Sequence, residues 1–86
     1  MNAADYQIEE SVVLKESALC GKTLREANLR DDLSVVVIAM RTHDGEIVFN
    51  PKGDATIDPG SVLVVVGRRE HLDELEKVAA GGRGTR

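Results

Sequence analysis

Two histidines and one cysteine are the side chains with the widest chemical repertoire in this sequence. His43 and His71 belong to no cluster of histidines and cysteines with the spacing of a zinc site. Cys20 has no second cysteine in the chain, so neither an internal disulfide nor a CxxC redox pair can form. No glycine-rich phosphate loop lies between a predicted strand and a predicted helix. We therefore predict no catalytic residue and expect Cys20 to pack as a small hydrophobic side chain.

Carboxylates are far more numerous, with 15 Asp and Glu residues in the chain. Adjacent pairs such as Glu9 with Glu10 and Asp31 with Asp32 could bind a divalent cation through their oxygens. None of them has the spacing of an EF-hand loop, and such charges usually form a solvated surface. Scattered carboxylates are also the only support for an enzyme. The sequence therefore predicts neither a metal site nor a catalyst.

Composition also excludes several classes of partner. The formal net charge is -4 and aromatic residues make up 2% of the chain, so a basic face or an aromatic platform for nucleic acid is not expected. The longest apolar run, residues 35–40, is much too short to span a bilayer. We predict no nucleic-acid partner and no membrane insertion by this chain.

A strand, a short helix and a second strand are predicted for the first half of the chain. Residues 7–16 have a strand pattern. Thr23, followed three residues later by Glu26, is a capping box that predicts a short helix. Residues 34–41 are rich in β-branched side chains and are apolar at both odd- and even-numbered positions. This pattern is typical of a strand that is buried on both faces, or of one with the core on one face and a partner on the other.

The second half predicts a hairpin, another strand and a longer helix. Asp44 and Gly45 indicate a hairpin turn that leads into a returning strand at residues 46–50. Asp58, Pro59 and Gly60 indicate a turn that needs a positive φ at the glycine. Residues 62–67 form an apolar strand, and residues 69–80 form a helix with a buried stripe.

These elements predict an α+β fold. We expect a single small sheet of about four, mainly antiparallel strands with two helices on one face. Two helices leave apolar sheet surface uncovered, so the domain is expected to form a homodimer. The expected divisions are a leader at residues 1–6, the folded domain at 7–80 and a flexible tail at 81–86.

The ordered elements carry a family resemblance that covers residues 7–80. The segment of residues 17–26 contains Gly21-Lys22-Thr23-Leu24, the central strand ends in Ala39-Met40-Arg41, and the last strand lies between Gly60 and Gly67. This pattern resembles the RCK C-terminal domain, also called the TrkA C-terminal domain. Two departures are Ser61, where the family usually has Asp, and Leu33 with Ser34, where many members have Gly.

The resemblance implies a cytoplasmic, dimeric, ligand-sensing domain of a prokaryotic potassium channel or cation transporter. Such a domain is peripheral to, or fused with, an inner-membrane transporter and usually follows a Rossmann-like N-terminal domain. Some members bind cyclic di-AMP across the dimer interface. By position, the apolar walls of that site would be Val35, Val37 and Ala39, and its polar contacts would be Asn28, Arg30, Arg41 and His43. The alternative is a purely structural dimerisation module that binds no small molecule.

Overall fold

One open, fully antiparallel sheet forms the framework of the domain in the computed structural model, which describes residues 2–82. The strand order is β1-β4-β2-β3, so β4, the last strand in sequence, lies at the centre beside β2. A 3-10 turn at Ala3–Asp5 precedes the first strand. The strands are β1 (Tyr6–Val12), β2 (Val36–Arg41), β3 (Ile47–Phe49) and β4 (Val62–Arg68), and the helices are α1 (Leu24–Ala27), α2 (Leu29–Leu33) and α3 (Arg69–Ala79).

The register gives the sheet one covered face and one open face. Alternate residues of β4 point to opposite sides, and Leu63 and Val65 are fully buried beneath the helices. α3 packs across β1 and β4 and also contacts α2, so the helices lie on the same side. The core beneath them is built from aliphatic side chains, namely Val13, Leu19, Ala27, Leu29, Val35, Met40, Ile57, Leu63, Val65, Leu72, Leu75 and Ala79.

The predicted fold class is confirmed, and the structure refines several elements. The helix expected after Thr23 is divided into α1 and α2 at Asn28, which has a left-handed backbone with φ 53°. Ser34 ends α2 with φ 58°, a left-handed backbone conformation that favours glycine. The first strand is shorter than predicted because it ends at Val12. Ser61 Oγ accepts a hydrogen bond from the Asp58 backbone N–H at 3.2 Å and closes the turn.

The ends of the folded unit differ from the predicted divisions in detail. Tyr6, placed in the leader by the sequence, is the first residue of β1 and stacks under the Arg68 guanidinium at 5.7 Å. Gly81 and Gly82 donate backbone hydrogen bonds to the last turn of α3. The rest of the predicted tail lies outside the described residues. Among the helices of residues 2–82, none has the length and apolarity needed to cross a bilayer.

The capping box at Thr23 and Glu26 is formed as the sequence predicts. Glu26 accepts a hydrogen bond from the Thr23 backbone N–H at 2.9 Å, and Thr23 Oγ1 accepts one from the Glu26 N–H at 3.1 Å. The backbone hydrogen bond from Thr23 favours the ionised carboxylate and lowers the pKa of Glu26 below the ordinary value of a glutamate. The box therefore fixes the start of α1, which borders the groove described below.

The Glu26 carboxyl makes a testable contribution to acid stability. The pKa of Glu26 is lower in the folded chain than in the unfolded chain, so its stabilisation is present at a pH above the unfolded pKa and is lost as the pH falls through the folded pKa. Replacing Glu26 with Gln should lower the free energy of unfolding at neutral pH, and the difference from wild type should shrink in acid. Urea denaturation of both proteins across this range measures the effect. A difference that stays constant with pH would contradict it.

Candidate ligand-binding site

A groove open to solvent lies where α1 and α2 face the beginning of β2. Its volume is about 370 Å³, which is within the range of small-molecule sites, roughly 300–1,000 Å³. Its lining combines two arginines, an amide, a carboxylate and apolar side chains. The lining residues are Leu24, Arg25, Asn28, Leu29, Arg30, Asp31, Val35, Val36, Val37, Pro51 and Gly53.

The groove exists because the outer strand β3 is short. β3 pairs with β2 only at Ala39–Arg41, so Val36 and Val37 have β4 on one side and no strand on the other among the described residues. The Asn50 N–H still bonds to the Ile38 carbonyl at 2.7 Å, after which Pro51 turns the chain away from the sheet. This leaves a strand edge with free backbone groups as one wall.

The opposite wall is α1, which is anchored to the chain that follows β3. The Leu24 N–H donates to the Ala55 carbonyl at 2.9 Å, and the Arg25 N–H donates to the Gly53 carbonyl at 2.9 Å. The Arg25 guanidinium lies so close to Gly53 that a Cβ there would be 2.8 Å from Nη2. The missing side chain at position 53 thus provides the space in which the Arg25 guanidinium lies.

Asn28 and Arg30 lie at the junction between the two short helices. The left-handed backbone of Asn28 ends α1 and begins α2, and its amide Nδ2 donates to Asp32 Oδ1 at 3.2 Å. The Ser34 N–H bonds to the Arg30 carbonyl at 3.2 Å and closes α2. This double turn brings a second arginine, Arg30, into the lining of the same groove as Arg25.

The valines at the start of β2 differ in exposure, and the difference determines their roles. Val35 is 1% exposed and packs against Gly67 of β4, where a Cβ would be 2.9 Å from Val35 Cγ1. Val36 is 44% exposed and belongs to the open face of the sheet. Val35 therefore supports the groove from the core, while Val36 offers an apolar surface to a ligand.

The groove has the chemistry of a site for an anion attached to a flat apolar group. Arg25 and Arg30 can each donate paired hydrogen bonds to phosphate or carboxylate oxygens. Val36 and Pro51 provide apolar surface against which a ring could pack. Asp31 adds one acceptor to the same lining.

Four of the seven residues proposed from the sequence lie together in the groove: Asn28, Arg30, Val35 and Val37. The other three lie elsewhere. Ala39 and Arg41 are on the open face of the sheet, and His43 lies in the hairpin turn, where its Cβ would be 3.4 Å from a Cβ at Gly60. A role for these three in ligand binding stays a prediction.

Sequence reasoning missed other members of the lining, chiefly Arg25, Val36, Pro51 and Gly53. Arg25 follows directly on the capping box, so its place at the start of α1 was available as a signal. Gly53 and Pro51 come from a loop whose path back to α1 has no local sequence signature. The backbone pairing of this loop with residues 23–25 is a tertiary feature.

The other polar clusters are structural. Arg69 at the start of α3 bonds to Glu9, Gln7 and Asp73 and fastens this helix to β1, and its pKa is raised chiefly by the hydrogen bond to Glu9. Thr42 bonds to Asp44 in the hairpin and lowers the pKa of that carboxyl. In the part of the chain that the structure describes, no three His, Cys, Asp or Glu side chains are grouped to hold a metal.

Comparison with known proteins gives this fold its family. The family model of the TrkA-C domain matches residues 8–80, nearly the whole described chain. The chain belongs to this family. It is therefore a regulatory domain of the type found in potassium transport systems, and it is not an enzyme. The resemblance drawn from the sequence motifs is confirmed.

Two similar sequences come from potassium transport proteins. The K(+)/H(+) antiporter subunit KhtT of Bacillus subtilis (strain 168) is 36% identical over 84 residues, which are 98% of this chain and 51% of KhtT. Probable potassium channel protein 2 of Methanocaldococcus jannaschii is 30% identical over 74 residues, 86% of this chain and 21% of the channel. The chain thus spans about half of the first relative and about a fifth of the second.

Solved structures support the fold. The RCK_C domain dimer of S. agalactiae BusR in complex with c-di-AMP has a TM-score of 0.78 at 20% identity, covering 85% of this chain and 95% of that one. BusR in complex with its busA-promotor DNA has a TM-score of 0.79 at 19% identity, covering 93% of this chain and 40% of that one. Because one similar protein is found with DNA, the absence of a nucleic-acid partner stays a prediction for this chain.

Proposed function

We propose that this chain is the cytoplasmic ligand-sensing domain of a potassium channel or cation transporter, and that its groove binds cyclic di-AMP in a homodimer. The observation that carries the proposal is that two arginines, Arg25 and Arg30, line the same groove as an apolar strand edge that β3 does not pair with. Similarity to KhtT and to an archaeal potassium channel protein supports the transport context. The fold of the BusR RCK_C dimer with c-di-AMP supports the class of ligand.

The symmetry of the ligand favours a site shared by two chains. Cyclic di-AMP has two phosphates and two adenines, so each half presents the same anion and the same flat ring. An isologous dimer presents the same surface twice. One groove of about 370 Å³ per chain, with its own two arginines, matches one half of such a ligand. Two grooves brought together by a two-fold axis would complete the site.

A dimerisation module without a small-molecule ligand is the second candidate. It is favoured by the apolar open face of the sheet, where Ile47 and Phe49 are 68% and 79% exposed. This function needs no arginine in the groove. It gives the same oligomeric state as a ligand sensor but no ligand-dependent change.

Isothermal titration of the purified chain with cyclic di-AMP tests the proposal, with AMP as the control ligand. We expect saturable binding of cyclic di-AMP at one molecule per two chains and much weaker heat from AMP, which offers a single phosphate and a single adenine. Absence of heat from a folded dimer would reject the ligand and leave the dimerisation module. Equal binding of AMP would reject the shared, two-fold site.

In the larger protein, ligand binding to this domain would shift the equilibrium between two arrangements of the attached domains. A ligand shifts such an equilibrium only by its difference in affinity between the two states. Attached domains, including a Rossmann-like N-terminal domain and a transport subunit, belong to this proposal. The transported ion would be potassium, as the names of the two relatives suggest.

A further inference from the structure

The guanidinium of Arg25 lies with one flat side against the backbone of Gly53. A Cβ added at Gly53 would be 2.8 Å from Nη2, 3.1 Å from Cζ and 3.3 Å from Nε of Arg25. If this Cβ approached in the plane of the guanidinium, between Nη2 and Nε, it would be farther from Cζ than from either nitrogen. Because the distance to Cζ is intermediate, the Cβ would lie above the plane, and Gly53 therefore packs on a flat side of the group.

The backbone holds these two residues in place. The Arg25 N–H donates to the Gly53 carbonyl at 2.9 Å, and the neighbouring Leu24 N–H donates to the Ala55 carbonyl at 2.9 Å. Arg25 is thus fixed at its backbone by one hydrogen bond to Gly53 and supported at its guanidinium by the α-carbon of the same residue. A long side chain that is held in this way loses less conformational freedom when a ligand binds to it.

The second flat side of the Arg25 guanidinium is the one that a ligand in the groove can reach. Arg25 is exposed and belongs to the groove lining, together with the apolar residues Val36 and Pro51. Within residues 2–82, no aromatic side chain lines this groove, so a flat ring that binds there finds no aromatic partner on this chain. A guanidinium is planar and cationic, and nucleobases stack on its flat side.

We propose that the Arg25 guanidinium is a stacking surface for a nucleobase, and that Gly53 is the residue that positions it. The proposal rests on the proposed function and deepens it, because it assigns Arg25 to an adenine of cyclic di-AMP and leaves the phosphate contacts to Arg30. Gly53 itself touches no ligand. Its lack of a side chain lets the guanidinium lie flat on the wall of the groove, where it leaves space for a ring.

A double-mutant cycle of Gly53→Ala and Arg25→Ala tests the positioning role. The φ of Gly53 is not positive, so alanine fits the backbone and the free energy of unfolding should not fall. The new methyl displaces the guanidinium into the space of the ring. Isothermal titration with cyclic di-AMP should therefore show an affinity at least about fivefold weaker for Gly53→Ala, the lower limit for the loss of one stacked base. In the Arg25→Ala background, the same change should alter the affinity by less than about twofold.

NMR of the arginine side chains in the isotope-labelled wild type distinguishes stacking from hydrogen bonding. A ring stacked on a guanidinium shields the Nε–H proton and moves its resonance upfield, whereas a phosphate bonded in the plane moves it downfield. We expect an upfield shift of the Arg25 resonance with cyclic di-AMP and none with inorganic phosphate. The Nε–H of Arg68 is the internal control, because Arg68 is not among the residues that line the groove.

A loss of affinity in Gly53→Ala that disappears in the Arg25→Ala background, together with the upfield shift, supports the proposal. Three results overturn it and leave the proposed function standing: cyclic di-AMP binding that Gly53→Ala does not weaken, losses that add fully in the double variant, or an Arg25 resonance that stays in place or moves downfield. Absence of saturable heat from folded wild type would reject the proposed function itself, and this contact with it.

Discussion

Replacing Arg30 with alanine is expected to weaken cyclic di-AMP binding by about 10- to 100-fold, the loss that follows when a charge-assisted hydrogen bond is removed. Arg30 lies in the first turn of α2, directly after Asn28 and Leu29, and lines the groove. Its side chain is exposed and outside the core, so the fold should be unaffected. The affinity is measured by isothermal titration, and the same change at Arg25 should have a comparable effect.

Arg68→Ala is the matched control for this experiment. Arg68 ends β4, stacks on Tyr6 and is not among the residues that line the groove. It removes the same charge from the chain, so any general electrostatic attraction for an anion falls equally in both variants. If Arg68→Ala lost as much affinity as Arg30→Ala, the ligand would be held by overall charge and not by the groove.

Replacing Gly67 with alanine is expected to destabilise the domain by about 1–3 kcal/mol, the usual effect of overpacking a core. A Cβ at this position would be 2.9 Å from Val35 Cγ1 and 3.4 Å from Leu72 Cδ2. Without that clash the same substitution would stabilise by about 0.4–1 kcal/mol, because alanine restricts the unfolded chain. The sign of the change therefore decides whether Gly67 is required for close packing. Urea denaturation measures it.

A double-mutant cycle with Val35→Ala isolates the contact between these two residues. Val35→Ala removes Cγ1, the atom with which the new methyl collides. The double variant should then lose less stability than the sum of the single losses, by at least about 0.5 kcal/mol. Strict additivity would mean that Gly67→Ala acts elsewhere. Because Val35 supports the groove, Gly67→Ala should also weaken ligand binding, whereas a purely structural contact would leave it unchanged.

The fold was predictable from the sequence because its signals are local. The capping box at Thr23 and Glu26, the turn at Gly60 and the apolar period of α3 each fix their own segment. The sequence also implied that the two helices could not cover both faces. What it did not give was the strand order, in which β4 enters between β1 and β2, because pairing between distant strands leaves no local pattern.

The candidate site was only partly predictable. Arg30 and Asn28 follow from the family resemblance, and both line the groove. Arg25 was missed because an arginine in a helix is usually a solvated charge, and only the contact with Gly53 shows its place. At the start of β2, the choice between Val35 and Val36 depended on which residue faces the core. The register of β2 on β4 shifts between Val37 and Ala39, which interrupts the regular alternation of inward- and outward-facing side chains. The sequence alone therefore does not show which of the two valines faces the core.

Cyclic di-AMP is expected to bind in the groove between α1, α2 and the start of β2. Two-dimensional NMR of the labelled chain during a titration with the ligand tests it most directly, since each amide reports its own surroundings. We expect saturable shifts at Arg25, Asn28, Arg30, Val36 and Gly53, with little change in the hairpin around His43 or at Leu14. Saturable shifts that cluster away from the groove, or a spectrum unchanged by the ligand, would contradict the claim.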